Sequence, residues 1–211
     1  MMISKIISFF CVLTFAGCDI FSTRAPESPS EQSSNFIQPT TPDIVVTNFK
    51  TSVEGFSADN YIKCFVDTLF SDKKFDFGPS LETGIDRALF LGWNLESERQ
   101  YLLNLGKPPF GSAGLVLSNK HIISVTSDSV VYNFDYSLYY PHNNPNFPTS
   151  FFGNLQFYIV LDQKHNWSVY KWLDFKTNSP YTWSYLKAVF IGGYGGGLFV
   201  KDRYLLTGFV H

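Results

Sequence analysis

Between positions 130 and 140 the even residues Val130, Tyr132, Phe134, Tyr136, Leu138 and Tyr140 are apolar or aromatic, while Asn133, Asp135 and Ser137 stand between them. A period of two marks an extended chain with one buried face, and a slip of one residue would exchange the faces. The segment therefore predicts a long two-faced strand with a fixed register. A second alternation sets Phe151, Leu155, Phe157, Ile159 and Leu161 against Asn154, Gln156, Tyr158 and Asp162. Residues 167–175 supply a third strand, and 121–125, starting at His121, a further candidate. The Asn- and Pro-rich link 141–149 and the turn 163–166 favour chain reversal, so an antiparallel meander is expected.

The preceding half has a different period. Thr41 is placed to cap a helix that starts with Pro42 and Asp43, and Ile44, Val45, Asn48, Phe49, Ser52 and Phe56 follow a helical stripe. A second helix is predicted after Ser57, with Tyr61, Phe65 and Leu69 on its inner face and Cys64 beside them. Residues 71–80 read as a loop with a short extended piece at 75–77. A third helix over 96–105 stops at Gly106, with Pro108 and Pro109 beyond. Helices followed by long strands indicate the α+β class.

That order, with a helix pair leading to Tyr61-Ile62-Lys63-Cys64-Phe65 and a last strand Trp167-Ser168-Val169-Tyr170-Lys171-Trp172-Leu173-Asp174, resembles the NTF2-like superfamily over roughly residues 42–175. The resemblance implies a cone, with N-terminal helices packed in a curved antiparallel sheet around a cavity. It places one domain over residues 42–191. A different α+β sandwich with the same element order is the competing arrangement.

Alternate strand residues share a face, so Tyr132, Phe134, Tyr136, Phe157, Tyr170 and Trp172 are the candidate ligand-binding residues of such a cone. The same stripe serves equally as plain core, which is what aromatic stripes at strand spacing usually are. No residue is assigned a catalytic role from the sequence. The resemblance implies an alternative, a cone-fold isomerase or dehydratase with Asp174 or Asp135 as base and Tyr132 or Tyr136 as hydrogen-bond donor. Asp174 follows Trp172 by two and shares its expected face, whereas Asp135 lies opposite the apolar face and is expected in solvent.

His121, His142, His165 and His211 lack metal-ligand spacing, and the last three fall in expected turns or the tail, so neither a metal site nor a cofactor is expected. Gly192-Gly193-Tyr194-Gly195-Gly196-Gly197 has no following Lys-Ser/Thr and reads as a glycine-rich C-terminal extension over 192–211, not a phosphate loop. A net charge of −2 without a basic run gives nucleic acid no counterion-release driving force.

The N-terminus carries an address. A short start with Lys5 precedes an apolar run over 6–15, of signal-peptide length and too short to span a bilayer. It ends in Phe15-Ala16-Gly17-Cys18, which resembles the lipobox of bacterial lipoproteins. The resemblance implies a signal peptide over 1–17 and a mature chain starting at an acylated Cys18. The lipid bilayer then becomes a partner and the bacterial cell envelope the location, on either the inner or the outer membrane. Residues 18–41, rich in Ser, Pro, Gln and Glu, read as a flexible tether. Cys11 belongs to the leader and Cys64 is then left alone, a small core residue in an apolar helix. The expected function is a membrane-tethered domain that binds a small apolar ligand or an envelope protein.

Overall fold

The computed structural model describes residues 35–80 and 85–192. The expected leader, Cys18, most of the tether, His211 and nearly all of the glycine-rich extension lie outside these residues. The elements are α1 (Pro42–Glu54), α2 (Ala58–Ile62), β1 (Asp76–Gly78), a 3-10 turn (Arg87–Phe90), α3 (Leu95–Leu105), β2 (Gly114–Val125), β3 (Ser129–Tyr139), β4 (Ser150–Leu161), β5 (Trp167–Phe175) and α4 (Trp183–Phe190).

Each helix starts on a side-chain cap. Thr41 accepts from the Ile44 N–H and Ser57 from the Asn60 N–H, while Asn94 and Ser97 form a reciprocal capping box for α3. The second helix is shorter than its apolar spacing suggested. It ends at Ile62, so Tyr61 and Phe65 are buried but Leu69 lies in a turn, 78% exposed. Past α2 the chain becomes extended: Val169 N–H donates to Cys64 carbonyl and Val66 N–H to Val169 carbonyl, which ties this stretch to β5.

The sheet order is β1-β5-β4-β3-β2. β2 to β5 form the expected antiparallel meander, with β3 and β4 in unbroken register from Ser129↔Val160 to Tyr139↔Ser150. β1, the short extended piece, adds to this antiparallel sheet one strand parallel to β5, with Phe77 opposite Trp172. β2 begins at Gly114, well before the His121 start expected for it, and two register shifts against β3 interrupt it. Such bulges raise local twist and bend a sheet.

Helix α1 lies in the concavity. The Phe49 ring meets those of Tyr61, Phe65, Phe157, Trp172 and Trp183 at centroid distances of 5.0–6.3 Å. Tyr132, Phe157, Trp172 and Phe77 are register partners in one row across β3, β4, β5 and β1. The fold is an α+β cone: a mixed, curved five-stranded sheet around helices, with a continuous aromatic core.

The body starts before the expected tether ends. Pro39 is buried and its carbonyl accepts from Trp167 N–H, and Asn48 holds Ile37 through both backbone groups. Helix α4 fell inside the expected domain without being foreseen as an element. Among the described residues no helix is long and apolar enough to cross a membrane.

Candidate functional site

Two features of this fold carry chemistry: the filled centre of the cone, and a groove at the end where β4 turns into β5.

At the centre, Tyr132, Phe134, Tyr136, Phe157 and Trp172 all point inward and are at most 5% exposed. Tyr170 does not join them. β4 pairs Tyr158 with Lys171 and the next residue, Ile159, with Val169, which leaves Tyr170 unopposed in a bulge. Its ring packs on Tyr158, whose neighbours Phe157 and Ile159 face the core. The alternation that put Tyr170 beside Trp172 is therefore broken by one extra residue.

Helix α4 packs against the inward aromatics: the Trp183 ring meets those of Phe49, Tyr136 and Trp172 at 4.9–5.5 Å. Three acceptors take up the first N–H groups of that helix. Tyr136 Oη accepts from Trp183 N–H at 2.6 Å, Asp174 Oδ2 from Ser184 N–H at 2.7 Å, and Thr182 Oγ1 from Tyr185 N–H at 3.3 Å. At its other end Asn104 Nδ2 donates to the Phe190 and Ile191 carbonyls. The groups that a helix leaves unsatisfied at its ends are thus met by side chains. Gly153 makes this possible, since a Cβ there would stand 2.6 Å from Tyr136 Oη.

Asp174 is 2% exposed, in line with the expectation that it shares the face of Trp172. Its Oδ1 accepts from Tyr136 Oη at 2.8 Å, and Oδ2 accepts from both the N–H and the hydroxyl of Ser184. Burial raises its pKa above the usual carboxylate value, opposed by the bonds from Ser184 and Tyr136 and by the charge of Lys187. Both oxygens are engaged in anchoring α4. Asp135 lies on the outer face, where Asn119 and Asn154 donate to it and hold its pKa below the usual value.

Sequence reasoning missed the strongest cluster. Lys187 of α4 and Glu98 of α3 form an ion pair in which both side chains are fully buried. Glu98 also accepts from Trp93 Nε1 at 2.7 Å and from Tyr61 Oη at 2.8 Å. Tyr61 Oη lies 3.3 Å from Tyr101 Oη, which accepts from Trp183 Nε1 at 3.1 Å. The Lys187 ammonium sits 3.4 Å from the Phe77 ring centroid and 3.6 Å from that of Trp172. Desolvation lowers its pKa to about 8 although the carboxylates of Glu98 and Asp174 oppose that shift. The available signal was Thr182 before the mostly apolar run 183–190, which is interrupted by Ser184 and Lys187: a cap followed by a buried helix.

The groove is an open concavity of about 920 Å³. Ile62, Phe65, Val66 and Trp167 give it an apolar wall, and Asp59, Lys63, Arg99 and Lys164 stand among them. Arg99 pairs with Asp59 at 2.7 Å, and Lys164 caps the Phe70 ring. Ser168 also lines the groove, and its buried Oγ meets no hydrogen-bond partner among the described residues.

The remaining candidates are quiet. Cys64 is buried, donates to the Asn60 carbonyl and has its thiol pushed up to about 12 by burial. His142 is not solvated as expected. It is 5% exposed, with Nε2 donating to the Pro148 carbonyl and Nδ1 accepting from Asn144 N–H. His121 and His165 are exposed. No group of three or more His, Cys, Asp or Glu that could hold a metal occurs among the described residues.

The chain resembles solved structures of NTF2-like name. An NTF2-like superfamily protein from Salmonella enterica aligns with 64% of this chain and 89% of its own, at 13% identity and a TM-score of 0.45. A protein described as a dehydratase of the NTF2-like family from Streptomyces avermitilis aligns with 65% of this chain and 94% of its own, at 11% identity and a TM-score of 0.45. The beta subunit of benzoate 1,2-dioxygenase from Burkholderia mallei aligns with 64% of this chain and 88% of its own, at 12% identity and a TM-score of 0.47. No protein-family model and no curated protein matches the sequence. The likeness is one of backbone architecture, and the site is read from its own residues.

Proposed function

We propose that this chain is a non-catalytic binding domain of the bacterial envelope, tethered through an acylated Cys18, whose ligand lies in the groove. One observation carries the reading. The buried carboxylate of the cone has both oxygens engaged by Tyr136 and Ser184, while the groove stays open with a mixed apolar and charged lining. A general base needs an oxygen free to reach a substrate proton. A binding site needs concave apolar surface with a few polar groups, commonly about 300–1,000 Å³ in volume.

The test is to purify the mature domain from envelope extracts and weigh what it carries. Thr68 is exposed and lines the groove, so Thr68→Trp fills the space without disturbing the core. A small molecule or lipid found on the wild type and lost from this variant supports the reading; an equal load on both sinks it. The anchor is tested separately. Fatty-acid labelling of the wild type and not of Cys18→Ala supports the tether, and equal labelling removes it.

A second reading, a cone-fold enzyme, is favoured by one arrangement: a buried carboxylate of raised pKa within 2.8 Å of the Tyr136 hydroxyl. It requires α4 to withdraw. Turnover of a small carbonyl or hydroxyl substrate that vanishes in Asp174→Asn would establish it.

A further inference from the structure

The ammonium of Lys187 is held as a ligand would be held. It is fully buried, it pairs with Glu98, and the faces of Phe77 and Trp172 lie within 3.6 Å of it. Trp93 and Tyr101 close the surround at 5.6 and 5.5 Å. Aromatic faces around a cation, with one carboxylate, are how proteins recognise organic ammonium ions, because the ring quadrupoles attract the charge electrostatically once its water is stripped away. As a source of stability the arrangement is poor. A buried ion pair loses much of its Coulomb gain to desolvation, and an apolar side chain of similar volume often does as well.

The bearer of this lysine is a separable element. Eight residues are too few for a helix to stand alone in water, so α4 exists because it is docked. Among the described residues it follows the last strand, and it supplies none of the strands of the sheet. Its departure would leave β1 to β5 and α1 to α3 connected. It would also leave Glu98 and Asp174, two carboxylates, facing one space walled by Phe77, Trp172 and Tyr136. The fully buried Trp172 Nε1, which has no acceptor among the described residues, would lie in that wall.

We propose that the centre of the cone is a binding site for a small organic ammonium ion, and that α4 occupies it in cis through Lys187. The site is distinct from the groove, so either can fail without the other. A ligand in trans competes with the lysine, and α4 is the element displaced.

Truncating the lysine supplies the probe. Lys187→Ala removes a propylammonium group, so n-propylammonium chloride replaces what is missing. The melting midpoint of this variant should rise with the logarithm of n-propylammonium concentration. Equimolar 1-propanol, of the same size and uncharged, and sodium chloride, of the same ionic strength, should leave it unmoved. Equal shifts from all three, or none, overturn the proposal. If the variant does not fold, amide exchange of the wild type decides. Protection of residues 183–190 should fall with n-propylammonium and not with 1-propanol, while β3 and β4 keep theirs. Unchanged protection of α4 overturns the proposal.

Discussion

Glu98 and Lys187 set the terms at the residue scale, because a charge without water must find its partner inside the protein. Glu98→Gln keeps the shape and an acceptor for Trp93 but leaves the ammonium unpaired. Breaking one side of a buried pair costs about 3–5 kcal/mol, whereas replacing both members with apolar groups is often neutral. Urea denaturation should therefore find Glu98→Gln far less stable than the wild type, and the double variant Glu98→Gln, Lys187→Met closer to it. Asp174 adds a pH dependence of known sign. Its folded pKa lies above the ordinary carboxylate value of 3.8, so the folded state holds the proton more tightly than the unfolded state. The stability it contributes is present below pH 3.8 and is lost as pH rises through the raised value. Asp174→Asn lacks that proton. The stability of the wild type minus that of the variant should thus decline as pH climbs from 3.8, and a difference independent of pH would contradict the raised value.

At the scale of elements, what was legible depended on whether a local rule had rivals. The alternation over 130–140 became β3, with its even residues inside, because a two-residue period has no other stable reading. Thr41 and Gly106 bounded their helices for equally local reasons, a side-chain acceptor at one end and a glycine at φ 74° at the other. Three elements obeyed longer-range causes. Leu69 left its helix because the chain after Ile62 pairs with β5, and Tyr170 changed face because β5 carries one residue more than β4 opposes. Helix α4 is short, and its charge–aromatic cage joins residues some 90 positions apart in the chain (187 − 98 = 89). No sequence period reports such a pairing. Its cap does report locally: Thr182→Ala should cost about 1 kcal/mol. Amide exchange should then quicken over 183–190 with little change in β3 and β4, because the lost bond to Tyr185 N–H belongs to α4 alone.

Across the whole molecule, Phe49 is the point where the layers meet. Its ring touches α2 through Tyr61, the stretch beyond through Phe65, the sheet through Phe157 and Trp172, and α4 through Trp183. A core so shared ties α1, α2 and the sheet into one unit, on which α4 docks through Trp183. Removing the ring takes away the apolar transfer energy and leaves a cavity that five aromatic neighbours cannot close by small shifts, for a loss of about 3–5 kcal/mol. Phe49→Ala should lower the urea midpoint and also weaken the near-ultraviolet circular dichroism of Trp172 and Trp183, because both indoles lose a ring packed against them. If the midpoint falls while that signal survives, α4 and the sheet are held in register by the Asp174 and Tyr136 anchors, and the aromatic core only fills the space between them.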